Sequence, residues 1–438
     1  MMFKTIFTSS LLFTSGMYLA AVVPEKMNVV LIMADDVGFE CINAYGSTYS
    51  TPAINRMAQQ GILFQNCHSQ PLSTPSRVQI MTGMYNNRNY TQFGYLDPKQ
   101  KTFAHLAKEA GYTTCIAGKW QLGADSRLPG VFGFDSYCLW QLSQSRDKGE
   151  RYANVLYEED GEIKPRDMDV YGPDVFADYL IGFMKKNKDK PFFAYYPMVL
   201  SHDPFFPTSD SEEWQESSLR EKENLKHFPG MIAYMDKNVG KILDFLEKEG
   251  LKENTLVIFT GDNGTSTRIV TPMQDGHQIR GGKKGTKTYA THVPLIVCGP
   301  RITKGKTIES LVDFSDFYPT LRDVFGLAPD GKENLDGISF YPQLRGDRST
   351  GREWSFCHYQ NQNSPDYTRF VQTVEYKLYL DGRFYNKKKD VDENIDIQKG
   401  TPEEERLRKK LQSVLDQYPV WGIGMLTKAS ALFSTPVM

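Results

Sequence analysis

Residues 28–36 read NVVLIMADD, an unbroken apolar run from Val29 to Ala34 closed by the carboxylates Asp35 and Asp36. A short run of this kind, rich in β-branched residues, predicts a strand buried on both faces, as in sheets covered by helices on either side. The flanking sequence keeps alternating the two periodicities. Thr51-Pro52 starts a helix, with proline at its first position, and Gly61 ends it. Thr102 to Ala110 predicts a second helix, stopped by Gly111, and Tyr112 to Ala117 the next strand. Pro173 to Lys186 is helical and feeds the strand Phe192 to Met198. Met231 to Glu249 places Ile232, Met235, Val239, Ile242, Leu243 and Leu246 at helical spacing, and it feeds the strand Leu256 to Thr260. Val293 to Val297 is one more strand. The alternation predicts a doubly wound α/β domain over residues 26–345.

The tail differs. Arg369 to Val374 and Tyr376 to Leu380 are β-rich, with a turn at Asp381-Gly382, and Pro402 to Leu415 is a charged amphipathic helix. Residues 346–438 are therefore expected to form a small α+β subdomain. At the other end, Lys4, the apolar stretch Ile6 to Ala20 and the small residues Ala20 and Ala21 predict an export signal over residues 1–22, too short for a membrane span. The mature protein is accordingly expected to be exported, with no membrane-spanning segment.

The chain has 438 residues, 40% hydrophobic, with 51 basic against 53 acidic side chains. That balance offers no global field for nucleic acid or an anionic membrane. The six cysteines are scattered and make no CxxC pair, which argues against zinc; export would permit disulfides. Cys115 and Cys298 sit in strand-like runs and read as small hydrophobes.

Two predicted strands end in acidic groups: Asp35-Asp36, and Asp262-Asn263 within Gly261-Asp262-Asn263-Gly264. In open α/β sheets ligands bind beyond the carboxyl ends of strands. Hard oxygen donors there suit Ca²⁺ or Mg²⁺, although each motif singly also reads as a turn. Ser73-Thr74-Pro75-Ser76-Arg77 precedes a helix to about Thr82. Pro75 suits the first helical position, which puts Ser73 at a helix N-terminus, a partly positive place that favours an anion.

This pentapeptide resembles the sulfatase signature, Cys or Ser, any, Pro, any, Arg. The family's other motifs follow in order: Gly118-Lys119-Trp120, Ser201-His202-Asp203-Pro204-Phe205, Gly261-Asp262-Asn263-Gly264 and Gly281-Gly282-Lys283-Lys284. The chain is thus similar to serine-type, formylglycine-dependent type I sulfatases, and the resemblance implies an alkaline-phosphatase-like fold with a doubly wound mixed sheet. It implies that Ser73 is oxidised to formylglycine, whose hydrate is the nucleophile. It makes Asp35, Asp36, Asp262 and Asn263, with the modified Ser73, the calcium ligands, and Asp262 also the base that activates the hydrate. Arg77 would orient the formylglycine. Lys119, His202 and a late lysine would grip the sulfate, His202 also serving as proton donor to the leaving oxygen. Lys283 is preferred for the late lysine, counting back from Val293-Pro294, although the local Lys-Gly-Thr resemblance favours Lys284. His277 is a further substrate-lining candidate; His68 and His292 read as structural or substrate-lining.

Many family members carry histidine after Lys-Trp. This chain has Gln121, which can hydrogen-bond the formylglycine hydroxyl but cannot act as a base near neutral pH. The aromatic segment Tyr85 to Tyr95 suits either a sugar floor or core packing. The resemblance further implies hydrolysis of a sulfated sugar or glycan, maturation by an anaerobic sulfatase-maturing enzyme, and a bacterial periplasmic or secreted location. Two rivals remain at this level: a phosphatase or phosphodiesterase of the same superfamily using unmodified Ser73, and a non-catalytic binder of sulfated glycans.

Overall fold

The computed structural model of the chain describes residues 26–418, apart from 145–146, 332, 348–350 and 362–366. The expected export signal over residues 1–22 lies outside the described residues. Among the described residues no helix is long and apolar enough to cross a membrane.

The run quoted first is a strand, β1 (Asn28–Ala34), every residue of it buried. It lies in the middle of a ten-stranded sheet. The first eight strands in chain order are completed by β2 (Ile62–His68), β3 (Thr113–Lys119), β4 (Ser136–Trp140), β5 (Tyr157–Glu159), β6 (Glu162–Ile163), β7 (Phe192–Pro197) and β8 (Thr255–Gly261). A separate hairpin of β9 (Val270–Pro272) and β10 (Gln278–Arg280) follows, and then β11 (His292–Cys298) and β12 (Lys306–Asp313). The order across the large sheet is β12-β2-β11-β8-β1-β7-β3-β4-β5-β6. β1 is parallel to both neighbours, whereas β11 runs antiparallel between β8 and β2, so the sheet is mixed.

Alternate residues of β1 feed opposite faces, as the two-residue strand period requires. Val30, Ile32 and Ala34 join one core with the helices Pro52–Gln60, Gly172–Lys186 and Phe228–Lys248. Val29, Leu31 and Met33 join the other with Ser73–Thr82, Phe103–Glu109 and Phe317–Val324. Thr102 caps the helix Phe103–Glu109 through a side-chain bond from Ala104 N. One boundary differs from expectation: the helix carrying the signature begins at Ser73 itself, with Leu72 as its N-cap, so Pro75 lies inside the first turn rather than at its start. Proline is tolerated there because first-turn N–H groups have no intrahelical partner.

The tail forms a four-stranded antiparallel sheet of β13 (Ser355–Gln360), β14 (Tyr367–Gln372), β15 (Tyr376–Tyr379) and β16 (Phe384–Asn386). The helix Pro402–Gln417 packs on it through Leu411, Val414 and Leu415, with a capping box at Thr401 and Glu404. Tyr85 is buried against Phe356 and Tyr418, so this end of the aromatic segment is core between sheet and tail. All six cysteines are buried free thiols, so the disulfides that export would permit are not formed.

Candidate active site

Strand register assembles the site. Ala34 of β1 lies opposite Gly261 of β8, so Asp35-Asp36 and Asp262-Asn263 leave the sheet at one level. Asp36 N donates to Asp262 Oδ1 at 2.9 Å, and Asn263 Nδ2 to Asp36 Oδ1 at 2.9 Å. Beyond β7 the chain continues pairing with the end of β1: Asp35 N bonds Leu200 O and Ser201 N bonds Asp35 O, each at 2.8 Å, which brings in His202. From β3 comes Lys119. Its strand can approach β7 because residue 118 is glycine; a Cβ there would lie 2.0 Å from Pro197 O, and φ is +120°. Gly264 has the same reason: its Cβ would meet Tyr289 O at 1.9 Å.

Ser73 and Arg77 are four residues apart on one helix and therefore share a face. Ser73 is 2% exposed, and its Oγ is 3.1 Å from Asn263 Oδ1, 3.4 Å from Asp35 Oδ1 and 3.2 Å from Lys119 Nζ. Arg77 reaches Asp262 Oδ2 and Lys119 O, both at 3.3 Å. Lys119 Nζ straddles Asp35 at 2.7 and 2.9 Å. Lys283 Nζ is 2.5 Å from Asp36 Oδ2 and 2.9 Å from His202 Nε2. The late-lysine ambiguity resolves in geometry: Lys283 turns inward, whereas Lys284 is exposed, has a left-handed backbone (φ +67°) and contributes its N–H to Pro71 O. His277 is also outside the cluster. It sits in the β9–β10 turn, its side chain 83% exposed and paired with Asp275. His68 and His292 are structural: His68 Nδ1 is 3.1 Å from Thr291 Oγ1, and His292 meets Gln65 O at 2.7 Å and stacks on Phe39. Gln121 follows Lys119-Trp120 in a left-handed conformation (φ +60°), with its Oε1 enclosed and without a hydrogen-bond partner.

Two residues given no role from the sequence join this group. Arg151 comes from the loop before β5, is 2% exposed, and its Nη1 is 2.8 Å from Asp35 Oδ2. Asp203, inside a quoted motif but given no role there, faces His202: Nδ1 lies 2.7 Å from Asp203 Oδ1 and 2.5 Å from its carbonyl oxygen. This fixes Nδ1 as donor and leaves Nε2 as the acceptor facing Lys283. The sequence offers no spacing rule for Arg151; Asp203 was findable as the nearest carboxylate to a motif histidine.

The electrostatics follow from burial and pairing. Burial raises the Asp35 carboxyl, but Lys119, His202, Arg151 and Arg77 outweigh it and hold it well below the usual range. Burial likewise raises Asp36, and His202 and Lys283 bring it below its ordinary value. Asp262 is pushed up to about 6, by burial and then by the Asp35 charge, against Lys119 and Arg77. Burial lowers Lys119 to about 8. His202 is lowered to about 4, chiefly by burial, so a proton it passes on must be supplied by a neighbour. The charged partner is Lys283, whose pKa burial lowers but Asp36 and Asp35 raise above the usual lysine value.

A divalent cation fits this donor set. Asp35, Asp36 and His202 each bring a ligand atom within 4.8 Å of the others. The carboxylates of Asp35, Asp36 and Asp262 and the amide oxygen of Asn263 are buried and linked to one another, and Asp35 and Asn263 meet Ser73, an oxygen-rich set of the kind hard cations take. Beside it, Lys148, Glu150, Arg166, Asp203, Glu223 and Arg268 help line an open cleft of about 590 Å³.

The sulfatase family model matches residues 27–327. The chain belongs to the sulfatase family. It is 29% identical over 371 residues to the N-acetylgalactosamine-6-sulfatase of Canis lupus familiaris, covering 76% of this chain and 69% of that protein. It is 23% identical over 475 residues to the N-acetylglucosamine-6-O-sulfatase of Bacteroides thetaiotaomicron, covering 84% and 80%. Among solved structures it resembles BT4656 in complex with its substrate D-glucosamine-2-N,6-O-disulfate, with a TM-score of 0.73 and 22% identity over 90% of this chain and 97% of that one. The sulfatase has the alkaline-phosphatase-like fold, and its activity is that of a sulfuric ester hydrolase.

Proposed function

We propose that this sulfatase removes an O-sulfate from a sulfated carbohydrate, with Ser73 matured to formylglycine and Ca²⁺ held by Asp35, Asp36, Asp262 and Asn263. The observation that carries the reading is the position of Ser73 Oγ, between the oxygens of Asp35 and Asn263 and the ammonium of Lys119, at the start of a helix. The relatives named above act on sulfated amino sugars, so 6-O-sulfated N-acetylhexosamines head the substrate panel.

Bound at these oxygens, calcium would supply a Lewis acid for a sulfate oxygen and a template for the reacting groups. Formylglycine would supply a hydrate nucleophile, with a second hydroxyl that an unmodified serine lacks. The chain's own residues do the rest. Asp262 can accept the proton of the attacking hydroxyl while Arg77 holds its Oδ2. Lys119 and Lys283 set fixed positive charge around the sulfate, and burial keeps water from screening it. Lys283 hands a hydrogen bond to His202 Nε2, and Asp203 holds the other ring nitrogen, so the pair Lys283–His202 can deliver a proton to the departing sugar oxygen. Gln121 offers an amide in place of a base.

Export to a bacterial periplasm or beyond, after anaerobic maturation, completes the proposal. The test is expression with and without an anaerobic sulfatase-maturing enzyme, peptide mass spectrometry at Ser73, and sulfate release from defined sulfated sugars beside phosphate release from matched esters. The expected result is loss of two hydrogens at Ser73 in step with sulfatase activity. Faster phosphate release, or full activity with intact serine, would sink it.

A further inference from the structure

Arg151 belongs to no motif of the chain, yet the fold takes its guanidinium to the centre of the site. The residue is 2% exposed. Its plane lies over the Trp140 ring, 4.0 Å from the centroid, and its Nε donates to Lys148 O at 2.9 Å. Stacking and that bond lock the side chain and aim Nη1 at Asp35 Oδ2, 2.8 Å away. The other oxygen of the same carboxylate is the one near Ser73 Oγ, so Arg151 stands one carboxylate from the reacting residue.

Around Asp35 the charges do not balance pair by pair. Lys119 pairs with Asp35, Lys283 with Asp36 and Arg77 with Asp262. Arg151 is then a second cation on Asp35, and the remaining carboxylate of the group, Asp203, faces His202 and the exposed Lys148 instead. A buried positive charge in excess is costly unless an anion completes it. A divalent cation on the same carboxylates increases the surplus. The missing partner must therefore be an anion that enters from outside, and a planar fork of N–H donors suits a tetrahedral oxyanion better than a point charge does. Access is at hand: Lys148, Gly149 and Glu150, the residues just before Arg151, line the open cleft. Trp140, on which the guanidinium stacks, ends β4 and accepts from Trp120 N at 3.1 Å, so the residue before Gln121 is tied to the ring that holds Arg151.

We propose that Arg151 contacts the sulfate group of the substrate directly, as a further anion-gripping residue of this site. This rests on the sulfatase reading given above. Inorganic sulfate is the probe, titrated calorimetrically into calcium-saturated, matured enzyme, with calcium affinity measured separately. Arg151→Gln is expected to weaken sulfate at least tenfold and to raise KM in step, with circular dichroism unchanged and calcium affinity not reduced, since the lost cation competes with calcium for Asp35. Arg151→Lys, which keeps the charge and loses the fork, is expected to fall between the two. Should Arg151→Gln not fold, Arg151→Lys together with a sulfate-soaked wild-type crystal decides, with an Nη within hydrogen-bond distance of a sulfate oxygen as the expected result. Wild-type affinity in both variants, or a loss that excess calcium fully restores, overturns the proposal; the second result would make Arg151 a positioning residue for Asp35. A wild-type enzyme that neither binds sulfate nor hydrolyses sulfate esters overturns the functional reading instead, and so is told apart.

Discussion

Glu40 is a buried carboxyl just beyond Asp36, and its substitution tests the electrostatic reasoning on a group outside the reaction. The side chain is 0% exposed and folds back over Gly38, whose Cβ, if present, would meet Oε2 at 2.2 Å. Its oxygens meet no donor in good hydrogen-bond geometry; the nearby Thr265 hydroxyl, which accepts from Gly38 N at 3.0 Å, only partly offsets the loss of water. Burial therefore raises Glu40 from 4.5 to about 7. The folded protein keeps this proton where the unfolded chain has released it. Stability is unaffected below the unfolded value, falls as pH rises from 4.5, and reaches its full loss above about 7. At about 1.4 kcal/mol for each tenfold in proton affinity, the loss is about 3 kcal/mol. Glu40→Gln is neutral throughout. Its stability relative to wild type should thus improve by about 3 kcal/mol between pH of about 4.5 and about 8, read from urea midpoints at several pH values. Parallel pH curves for the two proteins would refute the reasoning, since they would mean that Glu40 is ionised at no cost.

Three further outcomes are expected. Arg77→Met removes the guanidinium from Asp262 and should cost about 3–5 kcal/mol, because a buried carboxylate loses its partner, together with turnover; a thermal midpoint equal to wild type counts against the pairing. Calcium at roughly a hundred times its Kd should stabilise chelator-treated protein by about 3 kcal/mol, with magnesium less effective, and calorimetry showing no shift would remove the metal from the account. In the tail, the Tyr379 hydroxyl lies 2.5 Å from Glu393 Oε2 and 3.1 Å from Thr286 O, just after the lysine pair, and Lys377 bonds both residues. Tyr379→Phe should cost about 1 kcal/mol and raise KM several-fold with kcat nearly constant; an unchanged KM means that the tail does not position Lys283.

Much of this architecture is local chemistry. The apolar run of β1, the proline-started helix Pro52–Gln60 and the capped helix Phe103–Glu109 each lie within a residue or two of where periodicity puts them. Other elements carried weaker signals. The strand β12 is exposed over its first half, and its period is blurred accordingly. The direction of β11 depends on pairing with two distant strands, which no window of sequence contains. At the site, Lys283 and Lys284 are adjacent and chemically alike; only the left-handed turn at residue 284 separates the one that reaches Asp36 from the one in water.

By itself, the sequence determined which groups could meet: carboxylates at strand ends, a serine and an arginine one helical turn apart, and a set of motif lysines and a histidine. Those choices rest on strand and helix periods and on side-chain chemistry, which are local. The tertiary structure decided which groups share buried space and hence their charge. It lowered His202 to about 4, set Asp262 near 6, sent His277 to solvent and brought Arg151 to Asp35. Proton affinity and ion pairing depend on distance and dielectric between residues far apart in the chain, and those come into being only when the sheet is assembled.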